Sequence, residues 1–148
     1  MGLSILNKKA RFRYELSETF TGGIVLSGAE VKSIKTGRVS LDDAYAKIIR
    51  GELWLINAHI SPYQPKNQPQ YNPTRSRKIL VTKKELAYLT GKLQEKRLTL
   101  IPLKLFTQKD LVKIELALGR SKKKYDKREA IKRREEEEKI RRKIKQRI

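Results

Sequence analysis

The last thirty residues carry fifteen Lys/Arg against six Asp/Glu. A net charge of +9 in so short a stretch repels itself in water and does not collapse around a core. Any packed domain has to come from the residues before it. Helix signals are nevertheless present in this tail. Asp126 is placed to cap with Glu129 at the third helical position. Glu135/Lys139, Glu137/Arg141 and Glu138/Arg142 are spaced at i,i+4 in the favourable order. An apolar face is missing. Ile140, Ile144 and Ile148 align, but Ile131 stands nine residues before Ile140, roughly half a turn round the helix. Such a segment is either a solvated, fraying helix or one that forms against a polyanion.

The charge is not confined to the tail. The whole chain of 148 residues has 36 Lys/Arg, 16 Asp/Glu and a net charge of +20. Residues 1–118 keep +11 of it, so the foldable part is basic as well. With a pI near 10.3, nucleic acid is the leading partner class. An anionic membrane ranks second, without an amphipathic stripe or lipid signal to support it. No cysteine occurs, which excludes disulfides and thiolate metal sites. The opening Met1-Gly2-Leu3-Ser4-Ile5-Leu6 is too short for a signal peptide, and Leu6 breaks the myristoylation pattern. A cytoplasmic protein with no membrane role is the expectation.

Phe12, Tyr14 and Leu16 alternate with Arg11, Arg13 and Glu15, the period of a strand with one wet face. Gly22-Gly23 is expected to let the chain bend before Ile24-Val25-Leu26. Residues 28–35 read as a short helix stopped by Gly37. Residues 45–60 read as two strands about Arg50-Gly51-Glu52. On the second, Trp54, Ile56, Ala58 and Ile60 are expected to face the core, opposite Leu53, Leu55, Asn57 and His59. Residues 61–78 hold four of the five prolines and end in Arg75-Ser76-Arg77-Lys78, a run suited to phosphates. Ile79-Leu80-Val81 reads as a short buried strand. Thr82 with Glu85 caps a helix whose core stripe is Leu86, Leu89 and Leu93, with Gly91 expected to face a close neighbour. Residues 98–106 and 111–118 form the closing pair, joined by residues 107–110. Pro102 marks the first strand as edge or bulged.

The pattern amounts to about six strands and one sound helix: a small, mainly β domain over residues 1–120 and a basic tail over residues 121–148. An OB-type barrel, an SH3-like barrel and another small sandwich remain open on this evidence. No phosphate-binding glycine loop, nucleophile elbow or metal-ligand spacing occurs, and the lone His59 has no partner in sequence. No enzyme, cofactor or metal is expected.

Five stretches in order resemble the SsrA-binding protein (SmpB) family. They are Asn7-Lys8-Lys9-Ala10-Arg11, Gly28-Ala29-Glu30-Val31-Lys32-Ser33, Gly51-Glu52-Leu53-Trp54-Leu55, Asn72-Pro73-Thr74-Arg75-Ser76-Arg77-Lys78 and Tyr125-Asp126-Lys127-Arg128. The resemblance implies an OB-fold-like antiparallel β-barrel with one packed helix. It also implies binding to the tRNA-like domain of transfer-messenger RNA and delivery, with elongation factor Tu, to stalled ribosomes. The tail, disordered when free, would become helical in the empty mRNA channel next to the decoding centre of the small subunit. By resemblance, the RNA-facing residues are Asn7, Lys8, Leu80, Lys113, Arg120, Lys122 and Lys123, to which the charge pattern adds Arg75 and Arg77. The ribosome-facing tail residues are Tyr125, Asp126, Lys127, Arg128, Ile131 and Lys132. One copy per complex is expected. The alternative reading is a basic ribosomal protein or ribosome assembly factor.

Overall fold

The computed structural model describes residues 3–95 and 97–122 together with Glu135, Glu138 and Lys139. Two tight turns organise the sheet. Arg50 and Gly51 both take positive φ, at 52° and 76°, as do Lys109 and Asp110, at 48° and 66°. Paired left-handed residues give the two-residue turn whose twist matches antiparallel strands. The first turn joins β4 (Tyr45–Ile49) to β5 (Glu52–Ile56), and the second joins β8 (Leu98–Gln108) to β9 (Leu111–Ser121). The closing connection is therefore two residues long, shorter than the four that the sequence suggested.

With β2 (Tyr14–Ile24) and β7 (Arg77–Leu80), these strands close a ring in the order β8-β4-β5-β7-β2-β9, and β9 pairs back onto β8. The result is an antiparallel barrel, and the six strands read from periodicity match the six of the ring. β1 (Ser4–Leu6) adds to β8, while β3 (Val39–Ser40) and β6 (His59–Ile60) pair separately. Strands of two or three residues are too short for periodicity to reveal. Pro102 sits at a bulge, where the β8–β9 register shifts between Pro102 and Lys104.

The closing strand alternates as expected, with Val112, Ile114, Leu116 and Leu118 buried. β5 does not. Leu53 and Leu55 are buried and Trp54 is only half-buried. Asn57 then takes a φ of 62°, which resets the phase so that Ala58 and Ile60 also point inward. Trp54 is thus a partly exposed neighbour of Lys47 and Lys78 rather than a core residue.

Phe12 lies in the short α1 (Ala10–Arg13), and the strand begins only at Tyr14. The helix α2 (Gly28–Lys35) opens with a Ser27/Glu30 capping box. It ends at Gly37, where the Gly37 N–H donates to the Ile34 carbonyl and the Arg38 N–H to that of Ser33, a Schellman closure. The Thr82/Glu85 box is present at α3 (Lys83–Lys92), which buries Leu89 and packs Leu86 and Leu93 on the core. Tyr88 donates to Glu18 Oε1 at 2.6 Å and tilts against Phe20, holding α3 to β2. Among the described residues no helix is long and apolar enough to cross a membrane.

Three local expectations are corrected. β2 runs straight through Gly22-Gly23, because a Cβ on Gly22 would lie 2.7 Å from the Leu80 carbonyl oxygen. The glycine permits close approach of β7 rather than a bend. Gly91 faces open space, with nothing within 4 Å of an added Cβ. Within β7, Ile79 is buried but Leu80 is 52% exposed. Gly91→Ala should therefore raise stability by about 1 kcal/mol, the helix-propensity difference. Gly22→Ala should lower it by ~1–3 kcal/mol through overpacking. Urea unfolding of the two variants beside wild type checks both signs.

Candidate nucleic-acid interface

β9 carries candidate residues near both of its ends. Lys113 and Arg120 are seven positions apart, about 23 Å at a strand rise of ~3.3 Å per residue. At the Lys113 end, Leu80 of β7 and Lys113 both pair with Gly23 of β2, so they lie in one cross-strand row. Gly23 has no side chain, which leaves the exposed Leu80 and the half-buried Lys113 flanking an open backbone surface.

At the other end, Arg120 and Lys122 are exposed. Lys122 Nζ lies 3.5 Å from the Arg11 carbonyl oxygen, which brings the N-terminal arm alongside. Lys8, Lys9 and Arg11 are exposed on that arm. Lys9 is 3.7 Å from Asp42, and Arg13 reaches Asp43 at 3.4 Å, so two of the arm's charges have carboxylate neighbours. The clustering of Lys8, Arg11, Arg120 and Lys122 produces a concentrated positive surface.

Asn7 belongs to the same arm but faces the protein. It is 8% exposed, and its Nδ2 donates to the carbonyls of Leu41 and Pro102, at 3.1 and 2.9 Å. Its N–H donates to Leu103. Its Nδ2 is thus committed to the protein, where Asn7 anchors the arm to the β8 bulge, while Oδ1 has no partner among the described residues, and Lys8 is the first basic residue of the arm to project outward.

Arg75 and Arg77 are also drawn inward. Arg77 is fully buried and donates through Nε to Glu30 at 2.7 Å and to the Ala58 carbonyl at 2.7 Å. It also donates to the Tyr71 hydroxyl at 2.8 Å and the Pro73 carbonyl at 2.9 Å. No donor is left pointing at solvent, so the phosphate role expected of Arg77 is corrected to an internal one. Arg75 pairs with the same carboxylate from the other side and stays partly exposed. The Tyr71 hydroxyl is within 2.9 Å of both Glu30 and the Ile60 carbonyl, and with one proton it donates to one of them at a time. Burial, then the Glu30 hydrogen bond, raises its pKa above the usual phenol value.

Glu30 is the hub that charge counting missed. A legible signal existed, since Ser27-x-x-Glu30 is a capping-box spacing. Burial by itself would raise its carboxyl. Hydrogen bonds from Arg75, the Ser27 N–H and Arg77, with the Arg77 charge, overcome that and hold it at about 2 instead of 4.5.

Among the described residues no group of His, Cys, Asp or Glu is placed to hold a metal ion. His59 is exposed on β6. Lys123, Tyr125, Asp126, Lys127, Arg128, Ile131 and Lys132 lie outside the described residues, as do the expectations placed on them.

A small closed barrel with exposed lysines and arginines over its surface, Lys8, Arg11, Arg120 and Lys122 among them, fits the class of nucleic-acid-binding β-barrels. The comparisons with known proteins narrow the class. The family model for SmpB protein matches residues 4–146. The SsrA-binding protein of Dehalococcoides mccartyi strain 195 is 48% identical over 141 residues, covering 95% of this chain and 82% of that protein. The SsrA-binding protein of Trichormus variabilis is 49% identical over 140 residues, covering 94% and 90%. A solved chain described as "tmRNA-SmpB: a journey to the center of the bacterial ribosome" superposes with a TM-score of 0.68 at 41% identity, covering 80% of this chain and 84% of that one. The chain belongs to the SmpB family.

A depressed carboxyl contributes stability that is complete above its ordinary value and disappears as pH falls through its folded value. Glu30→Gln should cost ~3–5 kcal/mol near neutral pH, as two buried or half-buried arginines lose their counter-charge. The deficit should shrink as pH falls from 4.5 towards about 2, where wild-type Glu30 protonates. Urea midpoints of both proteins at pH 7, 4 and 2.5 measure it, and a constant deficit would mean the carboxylate is not the relevant charge.

Proposed function

We propose that this chain binds the tRNA-like domain of transfer-messenger RNA and brings it to stalled ribosomes in trans-translation. Its strongest support is the likeness to SsrA-binding proteins over nearly the whole chain, joined to the exposed Lys8/Arg11 arm beside Arg120 and Lys122. Ammonium and guanidinium groups on a rigid barrel suit the phosphates of a folded RNA, and the exposed Leu80 suits a ribose or base edge. Arg120 and Lys122 continue the arm's charge towards the tail, and Lys123 follows them in sequence.

The barrel, residues 1–120, holds the RNA. The tail, residues 121–148, reads the ribosome. Tyr125, Asp126, Lys127, Arg128, Ile131 and Lys132 would lie at the decoding centre and along the empty mRNA channel of the small subunit. The tail would be disordered when free, since its caps and ion pairs have no apolar stripe to pack. Channel phosphates would neutralise Lys127, Arg128, Lys132, Arg133 and Arg134, and the helix would then form. Residues 126–148 would span ~34 Å as a helix at 1.5 Å per residue. One copy travels with the RNA and elongation factor Tu, in the cytoplasm. The chain acts by binding, and peptide-bond chemistry stays with the ribosome.

Two measurements test this. RNA binding should weaken with salt at a slope of log K against log salt of roughly −3 to −5, for four to six phosphate contacts. Removing the chain after Lys124 should keep RNA affinity within about tenfold, ~1.4 kcal/mol. The same truncation should abolish tagging of peptides on ribosomes carrying a truncated message. Full-rate tagging by the truncated chain would remove the tail's role, and a salt slope near zero would remove the electrostatic account.

A further inference from the structure

The cross-strand row that holds Leu80, Gly23 and Lys113 does not stop at β9. Lys113 pairs on its other side with Phe106 of β8, and Phe106 pairs with Ser4 of β1. Leu105, its neighbour in the chain, is fully buried, so strand alternation turns Phe106 to the outer face. It is half-buried and is not among the apolar side chains packed on the core. Lys104 Nζ lies 5.2 Å from the ring centroid. The same lysine is 3.4 Å from Glu115, which holds its stem across the neighbouring strand. One row further along, Leu6 opposite Lys104 is 59% exposed.

A barrel that needs only solubility gains nothing from a ring, two leucines and two lysines on one open face. A phenyl ring with the Lys104 ammonium over it and Lys113 on the neighbouring strand offers an unstacked nucleoside a flat apolar surface, on which a base takes the place of the ammonium, and cations for the adjoining phosphates. Ser4, the neighbour of Phe106 on β1, is small and exposed, so that side of the ring is not covered by a large side chain. Continuity with Leu80 and Lys113 selects RNA over other partners of a mixed apolar and basic face.

We propose that Phe106, between Lys104 and Lys113, is a stacking position for a splayed-out base of the bound RNA. It extends the RNA-facing surface across β8 towards β1. The inference rests on the proposed RNA function and adds a contact of a different physical kind. Stacking tolerates any base and survives salt, whereas phosphate contacts do not. An unpaired loop nucleotide is required, since bases inside a duplex are not available to a ring.

The test measures affinity of the full chain for the tRNA-like domain of transfer-messenger RNA at several salt concentrations. Phe106→Leu keeps the apolar cover but loses the ring, and should weaken binding on the order of tenfold with the salt slope unchanged. Phe106→Tyr should bind within about twofold of wild type, a free-energy change of ~0.4 kcal/mol. Lys113→Ala should instead make the slope shallower by about one. Should Phe106→Leu melt, Phe106→Trp in a Trp54→Phe background reports directly, its emission quenched when a base stacks on it. Unchanged binding by Phe106→Leu, or an unquenched indole in the RNA complex, overturns the stacking position and leaves RNA binding intact. A wild-type chain that does not bind this RNA overturns both the proposed function and the stacking position.

Discussion

One buried carboxylate ties the irregular segment between β6 and β7 to the regular part of this protein. Glu30 caps the start of α2 through the Ser27 N–H and accepts from Arg75 and Arg77. Through Arg77 it reaches Tyr71, Pro73 and the Ala58 carbonyl. The proline-rich segment between β6 and β7 would otherwise be a long loop with little apolar anchorage and a high ordering entropy. Charge-assisted hydrogen bonds supply the anchorage that side-chain packing does not. The geometry is demanding, because a buried carboxylate without its arginines is costlier than no carboxylate at all. The same three groups set where β7 enters the sheet, and β7 carries Leu80 to the outer face beside Gly23.

What the sequence made legible is whatever depends on local order. The alternation from Val112 to Leu118, the Thr82/Glu85 cap and the stop at Gly37 follow from neighbours in the chain, and each is where its pattern placed it. The misplaced residues depend on contacts far apart in sequence. Alternation continuous through Asn57 would put Trp54 in the core, but the left-handed φ of Asn57 breaks it. Arg75-Ser76-Arg77-Lys78 spells a run suited to phosphate, which points Arg77 outward. Yet Arg77 and Ile79 share one face of β7, and Ile79 is an unambiguous core residue, so the inward direction was readable. Its partner was not, since Glu30 lies 47 residues away. Asn7 is similar: nothing near it in sequence announces that the carbonyls of Leu41 and Pro102 await its amide.

Burial therefore divides a single composition into two roles. Of the positive charges read as RNA contacts, Arg77 holds the fold, Arg75 mostly holds it, and Lys8, Arg120 and Lys122 remain outside. Clustered like charge on a folded surface opposes compactness, and the barrel limits the effect by pairing several of its cations internally or with neighbouring carboxylates.

The remaining step concerns why β9 carries both surfaces. It pairs with β2 and β8 at once and so closes the ring, with alternate residues filling the barrel. A one-residue slip would turn Ile114, Leu116 and Leu118 outward, so the register is held by the whole core. Side chains near its two ends consequently sit at a separation that only unfolding can change. A polyanion of defined shape meets a preformed pair of contacts and loses less freedom on binding than it would to a flexible chain. Residues 123–148 are composed the other way, of charge without an apolar stripe.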